Sequence, residues 1–171
     1  MRFRPQEDAR IILRRGFPFF IVILWLLQMT VCEYLRIFTV KPDLLLVSVF
    51  ISSLAFKRNT ALSFSILAGI LKDIPSSHQF GINTFLFALW CLLIIRLSKK
   101  ITVDTYLIRA LIVIILSFCG NIISRFILLF LGNFIPWGVF LRVSIFEALY
   151  TAAVLPIALR VFKPLLPSGG L

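Results

Sequence analysis

Acidic residues are scarce in this chain: seven Asp and Glu stand against eighteen Lys and Arg, with a single histidine, His78. One His with no Cys or carboxylate at ligand spacing makes no metal site, and loop polarity is its simpler reading. An enzyme acting on lipid through clustered acids or His has no such cluster here. Cysteine is nearly missing too. Cys32, Cys91 and Cys119 are scattered, which gives no disulfide framework and leaves them as small apolar packing residues. There is no Gly-rich phosphate loop, no Gly-x-Ser-x-Gly and no His-Glu-x-x-His. Connections between apolar runs are a few residues long, too short for a nucleotide site. No repeat, low-complexity tract or linker divides the chain, and Pro164 to Leu171 reads as a frayed tail. Catalytic residues, cofactor and metal are therefore all expected to be none.

What the chain has is hydrophobicity. It is 60% hydrophobic over 171 residues, with a mean hydropathy of +1.03. Apolar runs near 20 residues recur along its length, the mark of an all-α membrane protein in a single integral domain, 1–171. Six spans can be drawn, at about 17–35, 43–56, 60–74, 81–97, 103–131 and 137–162. Pro18 suits the first turn of the first. Pro42 forces Lys41 out of helical geometry before the second. Pro156 is expected to kink or end the sixth. The second and third spans are short for a core of about 30 Å. The basic N-terminus resembles a signal peptide, but the run from Phe17 to Leu35 is too long and Thr30-Val-Cys-Glu-Tyr is a poor cleavage site. It reads as an uncleaved span.

The net charge of +11 is no nucleic-acid footprint, because the basic residues sit at the ends of apolar runs. Thirteen of the eighteen fall on one side: the N-terminus, the loop at Lys57 and Arg58, the segment from Arg96 to Arg109, and the tail. The positive-inside rule then predicts both termini in the cytoplasm.

Polar groups at depth cost about 2.5–3.5 kcal/mol each when charged, so each needs a partner or a role. Glu147 lies near the middle of the sixth span. Asn121 and Arg125 lie in the fifth at i, i+4, on one helix face. The simplest expectation pairs Arg125 with Glu147, with Asn121 hydrogen-bonding nearby. Such a pair can fix helix register, mark a polar cavity or partner-facing surface, or serve an ion path, which a lone deep acid fits least. Arg142 can snorkel to the interface. Ala61, Ser65, Ala68 and Gly69 give the third span a small face suited to close packing. Trp137 sits at a boundary, while Trp25 and Trp90 lie inside spans.

The most informative segment is polar. Lys41-Pro-Asp-Leu-Leu-Leu, followed by Leu67-Ala-Gly-Ile-Leu-Lys-Asp-Ile and Phe80-Gly-Ile-Asn-Thr-Phe, resembles the rod-shape-determining protein MreD family. Pro42, Asp43, Gly69, Asp73 and Gly81 match its pattern. Lys72 stands where that family usually has an apolar residue, and Phe80 where it usually has Leu. The motif covers about 45 residues, and length, six spans and basic ends fit over the rest. The resemblance implies a non-enzymatic inner-membrane scaffold of the rod complex, or elongasome, supporting cell shape and lateral peptidoglycan synthesis. It implies binding to the single-span protein MreC, alongside MreB, RodA and a penicillin-binding transpeptidase. It also implies a six-transmembrane-helix bundle similar to the substrate-binding subunits of energy-coupling-factor transporters. The alternative function is such a subunit of a vitamin-type transporter. Partner or cavity candidates are Pro42, Asp43, Gly69, Lys72, Asp73, Gly81, Asn121, Arg125 and Glu147; membrane lipid is the other expected contact. The hairpin turn from Asp73 to Gly81 is the foremost candidate surface, with a tight turn at a helix end as the plain alternative.

Overall fold

The computed structural model describes residues 5–34, 40–75, 81–100, 106–130, 132 and 136–161. Among them the chain forms six α-helices: α1 Pro5–Tyr34, α2 Leu44–Ala55, α3 Arg58–Asp73, α4 Ile82–Lys100, α5 Tyr106–Phe130 and α6 Trp137–Val161. The helices fall where the apolar runs predicted them, with one large difference. α1 begins at Pro5, twelve residues ahead of the expected start, so Pro5 takes the first helical position and Pro18 lies inside the helix. Pro18 removes one backbone hydrogen bond there. Packing outweighs that loss: Phe17 and Ile21 on either side are 2% and 0% exposed. The Phe17 ring lies 5.0 Å from Phe56 and 4.9 Å from Phe64, which themselves meet edge to face at 5.2 Å. These rings fasten α1 to the α2–α3 corner. α6 likewise runs through Pro156 to Val161 and does not end there.

α2 is the centre of the bundle. Every residue from Leu45 to Ser53 is buried, and α2 touches each of the other five helices. Its serines need no partner helix: Ser48, Ser52 and Ser53 donate to the carbonyls of Leu45, Val49 and Val49 at 2.7, 2.9 and 2.7 Å. α3 buries Ala61, Ser65, Ala68 and Gly69, the small face expected of it, and turns Ile66, Ile70 and Ile74 outward. A Cβ on Gly69 would stand 2.4 Å from the Thr84 Cα of α4. Only a glycine lets the two backbones come this close. α5 and α6 pack chiefly on each other and meet α1–α4 mainly through α2, with a lesser contact to α4.

Large apolar side chains point outward all around. Phe19, Ile23, Phe85, Leu107, Leu111, Ile145 and Leu149 are all exposed. Within α4, α5 and α6 are segments long and apolar enough to cross a membrane, Ile82–Lys99, Leu107–Ile127 and Trp137–Arg160. Gly16–Thr30 and Leu44–Ala55 are shorter apolar stretches.

Candidate functional site

Two buried polar clusters sit where the sequence placed its candidates. The first is built on Asp73, the last residue of α3 and 0% exposed. Its carboxylate accepts five hydrogen bonds. Oδ2 takes the Gly81 N–H at 3.0 Å, the Thr84 N–H at 3.0 Å and the Thr84 hydroxyl at 2.7 Å. Oδ1 takes the Asn83 N–H at 3.1 Å and the Asn83 side-chain amide at 2.8 Å. The first N–H groups of a helix have no partner within it and favour an anion. Asp73 thus caps α4 from the preceding helix. Gly81 completes the turn: its φ is +96°, in the left-handed region that favours glycine. Gly81 and Asp73 are therefore joined as a helix terminus. Residues 76–80, with His78 and the rest of the predicted turn surface, lie outside the described residues.

The second cluster surrounds the start of α2. Pro42 and Asp43 are buried just ahead of the helix. Asp43 is its N-cap, accepting the Leu46 N–H at 3.0 Å on Oδ1. Its own N–H donates to Thr151 of α6 at 2.9 Å, and the Leu45 N–H donates to Gln28 of α1 at 3.2 Å. Asp43 Oδ2 pairs with the Lys72 ammonium. Lys72 Nζ also lies 5.0 Å from the centre of the Phe87 ring. A cation at a position expected to be apolar thus neutralises the capping carboxylate beside it.

Glu147 is paired differently from the sequence expectation. Its Oε2 accepts the Asn121 amide at 3.1 Å, and it lines one cavity with Asp43, Lys72, Asn83, Ser117 and Ser124. Arg125 is not its partner. The Arg125 guanidinium lies 4.2 Å from the Trp137 ring centre and 4.5 Å from that of Phe140, at the start of α6. Depth explains the difference. Arg125 sits five residues from the end of α5, and Glu147 ten residues into α6. At about 1.5 Å per residue the two are offset by roughly 7 Å along the hairpin, whereas Asn121 is nearly level with Glu147.

Sequence reasoning missed Gln28, Asn83, Thr84, Ser117, Ser124 and Thr151. The signal for one group was present: Ser117, Gly120, Asn121 and Ser124 fall at i, i+3, i+4, i+7 in an otherwise apolar helix. Gln28 and Thr151 meet α2 only through tertiary packing. No group of three or more His, Cys, Asp or Glu able to hold a metal occurs among the described residues.

These features define a helical membrane protein whose buried polar side chains cap helices and include the Asp43–Lys72 ion pair across the bundle. The family model described as rod shape-determining protein MreD matches residues 10–166. The chain belongs to that family, whose members are shape-determining structural proteins rather than known enzymes. No curated protein and no solved structure matches it.

Proposed function

We propose that this chain is a multi-pass scaffold of the bacterial inner membrane that serves the rod complex, supporting lateral peptidoglycan synthesis by docking single-span MreC beside MreB, RodA and a penicillin-binding transpeptidase. The observation that carries this reading is the family match over residues 10–166. In it all six helices span the bilayer with both termini in the cytoplasm, the arrangement that loop charge favours. The bundle's build is consistent with scaffolding. Its polar groups are turned inward onto helix ends, and its outward faces are apolar, suited to lipid or to another protein's membrane helix.

A vitamin-type transporter subunit is the second reading, favoured by the polar cavity among α2–α6. Its size argues against it. The cavity has a volume of ≈ 20 Å³, whereas small-molecule sites occupy roughly 300–1,000 Å³. The likeness to energy-coupling-factor subunits remains part of the proposal and rests on family resemblance.

Copurification from native membranes in mild detergent, with mass spectrometry of bound proteins, separates the two. Recovery of the single-span partner supports the scaffold, as does rounding of cells on depletion. Recovery of an ATP-binding module with no wall-synthesis protein would sink it.

A further inference from the structure

The outward face of α6 carries a charge that has no partner among the described residues. Arg142 is exposed, and among those residues it makes no hydrogen bond, ion pair or ring contact. Its position on the helix explains why. An α-helix turns about 100° per residue, so the step from Arg142 to Thr151 sets the two on opposite sides. Thr151 belongs to the face packed into the bundle, where Ser144, Ala148 and Leu155 are likewise buried. Arg142 shares the opposite stripe with Gly138, Ile145, Leu149 and Ile157, all exposed.

That stripe lies in the segment Trp137–Arg160, which is long and apolar enough to cross a membrane. A charge facing hydrocarbon is costly and needs a partner or a path to the headgroups. Because Arg142 faces directly away from the bundle, its partner comes from outside the chain. Two observations say which kind. Arg142 follows Trp137, the first residue of α6, by little more than one turn, about 7.5 Å along the axis. Trp137 is 56% exposed, as suits a ring at the membrane boundary. Helical side chains lean toward the N-terminus and lie over the preceding turn, so the Arg142 stem rises toward that boundary. The residue one turn above it on the same face is Gly138, and a Cβ built there meets nothing within 4 Å. The guanidinium therefore has an open slot along the helix, leading to the headgroup level. A carboxylate on a neighbouring membrane helix would meet Arg142 at its own depth and need no such slot.

We propose that Arg142 and the bare turn at Gly138 form a site for the phosphate of one membrane phospholipid, whose acyl chains lie along Ile145, Leu149 and Ile157. A planar guanidinium can hold two phosphate oxygens through parallel N–H···O bonds. The site rests on α6 crossing the bilayer, as in the arrangement above. The scaffold reading is tested by recovery of a protein and this site by retention of a lipid, so either can fail alone.

The test is native mass spectrometry of the purified full chain, released from detergent with phosphatidylglycerol or, as a phosphate-free probe, diglucosyl diacylglycerol. The parent is expected to keep one phosphatidylglycerol in preference to the glycolipid. Arg142→Gln lowers the apparent affinity for it about tenfold, the worth of one charge-assisted contact. Gly138→Leu, which fills the slot and leaves the charge, lowers it too. Both positions face away from the bundle, so helical circular dichroism is expected to be unchanged, and either variant decides should the other not fold. Equal retention of phosphatidylglycerol by the parent and Arg142→Gln overturns the proposal, and so does equal retention of the two lipids by the parent. Displacement of the lipid by inorganic phosphate alone also overturns it, in favour of a free-anion site. Loss of a copurifying single-span protein in Arg142→Glu, with phosphatidylglycerol retained as in the parent, overturns it in favour of a protein carboxylate.

Discussion

Replacing Asp73 with alanine removes the acceptor for three backbone N–H groups of α4 and for two side-chain donors. A buried donor left without a partner costs about 1–3 kcal/mol. Three stranded backbone groups therefore put the loss at roughly 3–9 kcal/mol. Water reaching the helix end offsets part of this, since Gly81 and Thr84 are only half-buried. The expected value is about 3–5 kcal/mol, above the usual N-cap loss of about 0.5–2 kcal/mol because one carboxylate serves the whole first turn. Asp73→Asn keeps one carbonyl oxygen but turns an amide nitrogen toward donors, so it should fall between alanine and the parent. The assay is unfolding of the purified chain in lipid nanodiscs, followed by α-helical circular dichroism. An Asp73→Ala variant within about 1 kcal/mol of the parent would refute the reasoning. The result also bears on partner binding. A variant such as Asp73→Lys that loses the partner reports a melted hairpin unless its fold is shown to be intact.

Gly69→Ala should lower stability by about 2–3 kcal/mol in the same assay, since the new methyl meets the Thr84 backbone. Gly138→Ala, with nothing within 4 Å of the added Cβ, should be neutral or stabilising by up to about 1 kcal/mol. Lys72→Met should cost about 3 kcal/mol, the low end for a broken buried pair because the Lys72 side chain is 25% exposed. Adding Asp43→Asn should recover most of that loss, as Asn still caps α2. Arg125→Glu combined with Glu147→Arg should be no better tolerated than the sum of its parts, because the two side chains are not partners; rescue in the double reversal would overturn the assignment of Arg125 to Trp137 and Phe140.

Helix positions were readable in the sequence because apolarity marks them, and α2, α3, α4 and α6 begin and end within a few residues of the expected spans. The start of α1 was not readable that way. Hydropathy measures what lipid accepts, while a helix can continue past the lipid through residues that are polar yet helix-compatible, from Pro5 to Gly16. Within the site, Pro42 and Asp43 were legible as a helix boundary because a proline and a capping residue act locally. Asp73 was legible as important but not as a cap, since the helix it caps starts nine residues later, at Ile82. The Arg125–Glu147 expectation took face into account but not depth. Counting residues back from the α5–α6 turn would have matched Glu147 with Asn121.

The dependence of α4 on Asp73 also bears on how the chain enters the membrane. While the ribosome is still making α4, α3 ends in a lysine and an aspartate. The partner of the lysine, Asp43, has already been synthesised, but the donors for the aspartate have not. A third helix released alone would carry a naked carboxylate at its end. On the six-span arrangement proposed above, the insertion machinery has reason to hold α3 until Gly81, Asn83 and Thr84 have emerged, so that α3 and α4 are delivered to the bilayer together.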